Sequence, residues 1–510
     1  MRAPLTPLLA LTAALAGAPA IATEVTREAV MAAIPEMTAM AQRLVEAKEV
    51  PGLAVAVVHD DAVVFADGFG VRAEPGDARV DADTVFQLAS MSKPLSSTVV
   101  AVLVSQGVVD WGDRVADLAP DIRLHDPYPT AEVTIRDFLN HRSGLPGTAG
   151  DDLEEIGYDG AAIRARIPLV PPSSSFRAGY AYSNAGFTLG ATAAVRPTAK
   201  CWADVAETAL YRPLGMASTS SRYADFEARP NRAALHIRRD GKWTAELVRD
   251  PDPQAPAGGA SSSVTDLAQW LRLELAQGKF AGEPAISAAA LAATHAPLFA
   301  RGQNRVTGAA SFYGLGWNVE YGRHGLSWGH AGAFSQGART LVTLYPEANL
   351  GIVVLAAAFP TGAPEALADS FFDLVFDGRL SRDWLNPWNA AYAGLFGPAI
   401  EAVKARYAHA PDPATPALPD AAYLGTYANA YAGEATVTAG AEGLTLHLGP
   451  RAWTYPLRHF DRDLFLYVSD PEMPEAPAAL QFTIGPDGRA ARLTAESLDT
   501  NGLGTFERVR

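Results

Sequence analysis

The chain has 510 residues, of which 48% are hydrophobic and 19% charged, and its formal net charge at pH 7 is −15. This length exceeds one ordinary hydrophobic core, so we expect two or three domains, and the composition is that of a globular protein rather than a disordered one. The acidic balance argues against a nucleic-acid partner, because binding phosphates needs a basic face. No run of Lys or Arg suggests a membrane-surface patch either.

The first 22 residues have the pattern of a secretory signal peptide. Arg2 is followed by a short apolar stretch from Leu8 to Ala16 and then by small residues. The apolar stretch is shorter than the roughly 20 residues that span a bilayer. We therefore expect cleavage after Ala20 or Ala22 and a periplasmic or secreted protein with no stable membrane insertion.

The only cysteine of the sequence is Cys201, so an internal disulfide cannot form. One Cys is consistent with a bacterial periplasmic protein that has no disulfide framework, and we expect a buried structural thiol. The other long apolar run, residues 350–359, is too short for a membrane span and predicts a buried strand.

The predicted elements of the N-terminal part mix helices with strand pairs. Apolar spacing predicts a helix over residues 27–48, and residues 52–70 predict a strand pair. A second helix is predicted over residues 90–106, closed by Gly107. Residues 110–260 are rich in loops and short helices.

A further strand pair is predicted at 338–358, followed by a helix at 364–377. A sheet contributed by both ends of residues 23–385 and enclosing a helical middle predicts an α/β (α+β) fold without βαβ repeats. In this fold an antiparallel sheet is flanked by helices and accompanied by an all-helical region. Residues 386–417 are predicted to be a helical segment and a Pro-rich linker.

The C-terminal residues 418–510 differ in character from the rest of the chain. Eight short strand-like runs follow one another, and the sequence GPDG at 485–488 is a hairpin signal. This spacing predicts a small antiparallel β-barrel as a separate domain.

The first motif that could carry out catalysis is Ser90-Met91-Ser92-Lys93. A Ser and a Lys three residues apart at a helix start lie on one face, one turn apart. A serine hydroxyl becomes a good nucleophile when a base takes its proton, and a Lys becomes that base when burial lowers its pKa. The apolar flanks of the motif can supply that burial.

Two more triplets could complete such a site. Tyr182-Ser183-Asn184 offers a phenol that relays protons and an amide that holds a substrate carbonyl or a lysine. His330-Ala331-Gly332 precedes strand residues, and a Gly on a strand allows another backbone to approach closely. The N–H of Ala333 could then join the N–H of Ser90 as a two-donor oxyanion hole.

The order and separation of these triplets resemble those of the serine β-lactamase and penicillin-binding-protein superfamily. The resemblance covers roughly residues 30–380 and is closest to the class C β-lactamase-like branch of esterases, D-aminopeptidases and D-alanyl-D-alanine carboxypeptidases. The C-terminal barrel resembles, more loosely, the lipocalin-like domain often appended to such hydrolases. Three further stretches match the branch: TIRDFLNHRSGLPG at 134–147, PAGGASSSVTDLAQWL at 256–271 and YGLGWNV at 313–319.

The resemblance implies a role for each motif residue. Ser90 would be the acylated nucleophile, Lys93 and Tyr182 the proton-transfer pair, and Asn184 a contact of the substrate or of Lys93. His330, with Gly332, would stand at the substrate-side strand wall, and the Ala333 N–H would complete the oxyanion hole. β-Lactamases and penicillin-binding enzymes usually carry Lys at the position of His330. Because a His is mostly uncharged near neutral pH, esters, amides or short peptides, including D-amino-acid peptides, are the expected substrates.

Alternatives remain at this point. The chain could hydrolyse β-lactams or D-Ala-D-Ala peptides, or it could be a non-catalytic sensor of peptidoglycan or β-lactams. Gly325-Leu326-Ser327-Trp328-Gly329 fits the nucleophile elbow of α/β-hydrolases, but the residues after Ser327 predict further strands rather than a helix.

His141 is expected to be structural. The sequence shows no metal-ligand spacing and no cofactor fingerprint, and the mechanism needs no cofactor. A small-molecule or peptide substrate is the predicted partner, and the oligomeric state stays open.

Overall fold

The computed structural model describes residues 25–470 and 473–509. The predicted signal peptide, residues 1–22, lies outside the described residues. None of the helices in these described ranges is long and apolar enough to cross a membrane.

The described ranges contain fifteen α-helices. They are α1 Arg27–Glu46, α2 Ser92–Ser105, α3 Val115–Leu118, α4 Pro127–Glu132, α5 Ile135–Leu139, α6 Asp151–Glu155, α7 Gly160–Arg166, α8 Asn184–Val195, α9 Trp202–Ala206, α10 Tyr223–Glu227, α11 Ala255–Gly258, α12 Val264–Leu275, α13 Ala288–Ala292, α14 Ala363–Asp377 and α15 Leu385–Tyr407.

The same ranges contain twenty-three β-strands. They are β1 Gly52–His59, β2 Ala62–Gly70, β3 Phe86–Gln87, β4 Ile237–Arg239, β5 Lys242–Thr244, β6 Ser261–Ser262, β7 Lys279–Phe280, β8 Glu283–Pro284, β9 Phe299–Gln303, β10 Ala310–Tyr313, β11 Asn318–Gly322, β12 Gly325–Phe334, β13 Ala338–Tyr345, β14 Leu350–Ala356, β15 Gly425–Asn429, β16 Gly433–Gly440, β17 Gly443–Leu448, β18 Trp453–Pro456, β19 Arg458–Asp461, β20 Leu464–Tyr467, β21 Ala478–Ile484, β22 Ala490–Ala495 and β23 Thr505–Arg508.

An eight-stranded antiparallel sheet is the centre of the larger domain, in the order β2-β1-β14-β13-β12-β11-β10-β9. Strands β1 and β14, from opposite ends of the domain, pair with Val55 opposite Val354. Both strands are buried along their whole length, which explains their continuous apolar sequence. The prediction of a sheet contributed by both ends of the domain is confirmed.

Alternate residues of β1 belong to two separate apolar cores. Leu53, Val55 and Val57 pack with α1 and α14 on one face of the sheet, while Ala54 and Ala56 pack with the helical region on the other. The period-2 alternation of a strand makes this division possible. Helix α2 lies in the second core, and eight of its residues have no exposed surface: Ser92, Lys93, Leu95, Ser97, Thr98, Val99, Val100 and Ala101.

The C-terminal domain is a nine-stranded antiparallel sheet in the order β18-β17-β16-β15-β23-β22-β21-β20-β19. Its two edge strands, β18 and β19, follow each other in the chain and are separated only by Leu457. Because one residue joins the two edges, the sheet must curl until they approach, and the result is a nearly closed barrel. The predicted barrel is thus confirmed.

The barrel contacts the larger domain through a tyrosine-rich turn. Tyr431 donates a hydrogen bond to Asp152 Oδ1 (2.5 Å) and accepts one from the backbone N–H of Gly150 (3.2 Å). In return, the Tyr158 hydroxyl donates to the backbone oxygen of Ala432 (3.1 Å). The barrel therefore fixes the position of Gly150 and Asp152, at the start of α6.

We expect Tyr431→Phe to lower the stability of the protein by about 1–3 kcal/mol, because the buried Asp152 carboxyl and the Gly150 N–H both lose a partner. Chemical denaturation measures the change. Tyr467→Phe is the matched control, since Tyr467 is also buried but its hydroxyl bonds to Ser497 within the barrel. Activity should fall in Tyr431→Phe more than in the control. Equal losses of activity in the two variants would contradict a role of the Tyr431 contact in holding the start of α6.

The expectation for Cys201 is wrong. The thiol is exposed, and its Sγ donates a hydrogen bond to Asp204 Oδ2 (3.1 Å). Cys201 precedes helix α9 at the surface, where Asp204 and Arg222 form an ion pair that surrounds the thiol with charge. The general tendency of Cys to be buried is overridden here by a polar helix start.

Candidate active site

Ser90 lies in a tight turn that leads into helix α2. Residues Ala89–Met91 form one turn of 3₁₀ helix, and α2 begins at the next residue. Ala89 has a left-handed backbone with φ of 49°, which costs energy for a residue with a Cβ and is typical of functional sites. As the spacing predicts, Ser90 and Lys93 share one face, and Lys93 Nζ lies 3.1 Å from Ser90 Oγ.

Lys93 is completely buried. Its ammonium group donates hydrogen bonds to Asn184 Oδ1 (2.7 Å) and to the backbone oxygen of Ala257 (3.0 Å). Burial lowers the pKa of Lys93 to about 7, although the charges of Asp151 and Glu154 act in the opposite direction. A lysine with a pKa near 7 is partly unprotonated at neutral pH and can accept a proton from a neighbouring hydroxyl.

Tyr182 and Asn184 lie at the start of α8, where Ser183 caps the helix by accepting a backbone N–H of the first turn. The Lys93 Nζ is 4.4 Å from the centre of the Tyr182 ring, a cation–π distance. The Tyr182 hydroxyl is hydrogen-bonded to Ser90, and burial raises the pKa of Tyr182 far above its usual value. The phenol therefore stays protonated and can pass a proton on, while Lys93 is the better base.

Gly332 allows strand β12 to approach the turn that carries Ser90. A Cβ built on Gly332 would lie 2.1 Å from the backbone oxygen of Leu88, 2.4 Å from Thr340 Oγ1 and 2.9 Å from the backbone nitrogen of Met91. A side chain of any kind would therefore push the two segments apart. A hydrogen bond from Thr340 Oγ1 to the same Leu88 oxygen (2.7 Å) holds them together.

Within the described part of the chain, the last part of β12, residues 330–334, has a strand neighbour on one side only. The pairing with β11 ends where Gly329 faces Asn318, whereas the pairing with β13 continues to Phe334. Ala333 belongs to this half-paired segment and, together with Ser90, lines a cavity of about 190 Å³. The two residues predicted to supply the oxyanion donors therefore face the same space.

His330 is one end of a hydrogen-bond chain of neutral groups. His141 Nδ1 accepts the N–H of Ser183 (3.1 Å), so its proton is on Nε2, which lies 3.3 Å from the Tyr313 hydroxyl. Tyr313 in turn donates to His330 Nε2 (3.2 Å), and His330 Nδ1 donates to the Ala331 oxygen (2.7 Å). The chain joins the backbone before Asn184 to the backbone before Gly332, the two sides of the site.

The charge of His330 follows from its surroundings. Only 5% of the residue is exposed, and burial lowers the pKa of His330 to about 3, so the imidazole is uncharged at neutral pH. Its ring lies 6.2 Å from that of Tyr182. His330 lines a different cavity from the one that contains Ser90. A direct contact of His330 with substrate therefore stays a prediction.

Ser327 lies in the middle of β12 rather than at a strand-to-helix turn. Side chains alternate along a strand, so Ser327 points to the face opposite that of His330. The structure therefore lacks the elbow geometry that the Gly325–Gly329 pattern requires.

Sequence reasoning missed several residues of the site. His141, expected to be structural, and Tyr313 form the chain beside Tyr182, and Asp151 and Gln254 line the Ser90 cavity. The positive φ of His141 (59°) was not visible in its HRSGL context. The three stretches quoted for the resemblance contain His141 and Tyr313 and were the available signal.

One group in the described ranges has the geometry of a metal site: His324, Asp373 and Asp377, whose ligand atoms lie within 4.8 Å of one another. Arg323 makes ion pairs with both carboxylates and so already offsets part of their charge. The group lies outside the cavity that contains Ser90.

Two family models match the chain. The model described as Beta-lactamase matches residues 37–372. The model described as Domain of unknown function (DUF3471) matches residues 409–505, the barrel and the linker before it. The first match contains Ser90, Lys93, Tyr182 and His330.

Curated relatives match over most of their length. The unguisins hydrolase ungD′ of Aspergillus campestris is 29% identical over 474 residues, 86% of this chain and 85% of the relative. The D-alanyl-D-alanine-carboxypeptidase/endopeptidase AmpH of Escherichia coli K12 is 25% identical over 348 residues, 64% of this chain and 84% of the relative. Penicillin-binding protein 4 of Amycolatopsis lactamdurans is 28% identical over 350 residues, with the same two shares.

Solved structures share the fold. The octameric penicillin-binding protein homologue from Pyrococcus abyssi superposes with a TM-score of 0.59 at 18% identity, covering 91% of this chain and 98% of that one. SurE superposes with a TM-score of 0.55 at 23% identity, covering 94% of this chain and all of that one. At these identities the likeness concerns the fold alone.

Proposed function

The chain belongs to the Beta-lactamase family and is a serine hydrolase, and from that premise we propose that Ser90 is its nucleophile in a cycle of acyl-enzyme formation and hydrolysis. The observation that carries the proposal is the buried Lys93 Nζ, 3.1 Å from Ser90 Oγ and with a pKa lowered to about 7. A buried amine of this kind is rare outside active sites, because desolvation without a function only costs stability.

The proposed first step transfers the Ser90 proton to neutral Lys93 while Ser90 Oγ attacks the substrate carbonyl. The carbonyl oxygen becomes an oxyanion, which the N–H groups of Ser90 and Ala333 stabilise. Tyr182 remains protonated and passes a proton to the leaving group, then regains one from Lys93. Water then attacks the acyl-enzyme along the same route in reverse and releases the acid.

We propose a carboxylic ester, an amide or a short peptide, including D-amino-acid peptides, as the substrate. The neutral His330 supplies no positive charge for a substrate carboxylate. The half-paired edge of residues 330–334 suits an extended, peptide-like backbone, which can add main-chain hydrogen bonds there. Relatives named as a hydrolase of unguisins and as a carboxypeptidase/endopeptidase support the same choice. Residues 1–22 support action in the periplasm or outside the cell.

The pH dependence of turnover tests the proposal. Because Lys93 must be unprotonated in the free enzyme, kcat/KM for a chromogenic ester should fall about tenfold for each pH unit below 7 and level off above it. The measurement is a steady-state profile from pH 5 to 9, with thermal unfolding at each pH as the control for intact fold. A profile that stays flat between pH 5 and 8 in folded protein would contradict Lys93 as the base.

A further inference from the structure

The cavity that contains Ser90 is acidic on one side. Three carboxylates of helix α6, those of Asp151, Glu154 and Glu155, line it together with one cation, Arg249, and with Gln254 from the turn before α11. A cavity of about 190 Å³ accepts a small group next to the nucleophile. Whatever occupies this side of the cavity in the acyl-enzyme is therefore close to the reacting carbonyl.

The orientation of the Gln254 amide is fixed by its two carboxylate partners. Its Nε2 donates to Asp151 Oδ1 (2.9 Å) and to Glu154 Oε2 (2.5 Å). Two carboxylates can only accept, so the nitrogen and not the oxygen must face them. Gln254 is only 4% exposed, and its Oε1 has no hydrogen-bond partner within the described part of the chain. A buried acceptor left open in this way calls for a donor.

The two carboxylates are not equally compensated. Glu154 forms an ion pair with Arg249 at 2.8 Å. Asp151 has no ion pair within 4.0 Å among residues 25–470 and 473–509, and its partners are the neutral amides of Asn184 and Gln254. Burial raises the pKa of Asp151, and this effect outweighs the opposing effects of its two amide partners and of the more distant Lys93 and Arg249 charges.

We propose that Asp151 and Gln254 Oε1 form a subsite for a primary ammonium group on the acyl part of the substrate. The inference rests on the proposed function of Ser90. An ammonium group has three donors and no acceptor, so it pairs with a carboxylate and an amide oxygen at once, whereas a carboxylate substrate would be repelled. The preferred substrates are therefore aminoacyl esters, aminoacyl amides or peptides with a free amino group at the residue that acylates Ser90.

The experiment compares the anilide of D-alanine and of L-alanine with their N-acetylated forms. The wild-type enzyme should favour the free amine by about 10- to 100-fold in kcat/KM for at least one enantiomer, the size expected for a charge-assisted hydrogen bond. In Asp151→Asn the preference should disappear, so that the free amine and the N-acetyl form have similar kcat/KM, mainly through a higher KM for the free amine. Because Asp151 also contacts Asn184 and raises the pKa of Lys93, the substitution can change both rates together, and the ratio of the two rates is the quantity compared. Glu227→Gln removes an exposed carboxylate at the end of α10, outside this cavity, and should keep the preference.

Each outcome has one meaning. A preference that survives in Asp151→Asn, or an equal loss on both substrates, overturns the subsite and leaves Asp151 only as a support of Asn184. If Asp151→Asn does not fold, the wild-type comparison decides alone, since equal rates on the free and acetylated amines overturn the inference. Turnover that depends on Ser90 without amine preference refutes only the subsite. No turnover and no acyl adduct on Ser90 with any substrate refutes the proposed function itself.

Discussion

Ser90→Ala should abolish turnover of esters and amides, with a loss of at least about 10³-fold in kcat. Among the described residues, Ser90 has the one hydroxyl that is hydrogen-bonded to Lys93 Nζ. The substitution removes one half-buried hydroxyl oxygen and leaves the Ala89–Met91 turn and helix α2 in place, so the stability of the protein should change little. Hydrolysis of a chromogenic ester measures the loss of turnover, and intact-protein mass spectra measure whether an acyl group is attached. Wild-type protein should show an acyl adduct that forms on Ser90 and decays.

Ser327→Ala is the matched control for this experiment. It is the same chemical change in a serine whose local sequence also fits a nucleophile motif, and its side chain points to the opposite face of β12 from His330. The variant should keep its rate within about twofold of the wild-type value. Full activity in folded Ser90→Ala would overturn the assignment. An adduct on Ser90 that forms and never decays would support the non-catalytic sensor instead.

The sequence predicts the parts of the site that depend on local spacing. Ser90 and Lys93 are three residues apart at a helix start, and helix geometry alone places them together. A glycine at position 332 of a strand predicts that another backbone segment approaches closely, and the backbone atoms of Leu88 and Met91 lie there. The placement of Asn184 beside Lys93, 91 residues away, followed only from the resemblance to a family.

The parts that were missed depend on contacts between distant segments. His141 and Tyr313 are 172 residues apart in the chain, and no periodic pattern links them. The acidic side of the cavity needs α6 and Gln254 to meet, and the barrel contact of Asp152 with Tyr431 spans 279 residues. The error for Cys201 has the opposite origin, because a residue-type average was applied to a position whose neighbours are charged.

Neutrality of His330 and the acidity of the Ser90 cavity point to the same kind of substrate. A lysine at position 330 would add a positive charge to the strand wall, whereas burial and the nearby Lys93 charge keep the imidazole of His330 uncharged. Asp151 adds negative charge on the other side. These charges support the proposed preference for a neutral or cationic group, rather than an anionic one, beside the reacting carbonyl.

Gly332→Ala should lower kcat/KM by about 10²- to 10³-fold, the loss expected when one oxyanion donor is displaced. The added Cβ would lie 2.1 Å from the Leu88 oxygen and 2.9 Å from the Met91 nitrogen, so β12 must move away from the Ser90 turn. That movement carries the Ala333 N–H with it, and a shift of about 1 Å is enough for such a loss. Thermal unfolding should also occur at a lower temperature, because the hydrogen bond from Thr340 to Leu88 is stretched.

The matched control for Gly332→Ala is Gly322→Ala on the neighbouring strand β11. A Cβ at Gly322 would meet only the Cβ of Ala309, at 3.4 Å, so the same added methyl group fits with little movement. Gly322→Ala should keep both its rate and its unfolding temperature near the wild-type values. If folded Gly332→Ala hydrolyses esters at the wild-type rate, the approach of β12 to the Ser90 turn does not position the oxyanion donors. The Ala333 N–H would then have to be replaced in the mechanism by another donor of the same cavity.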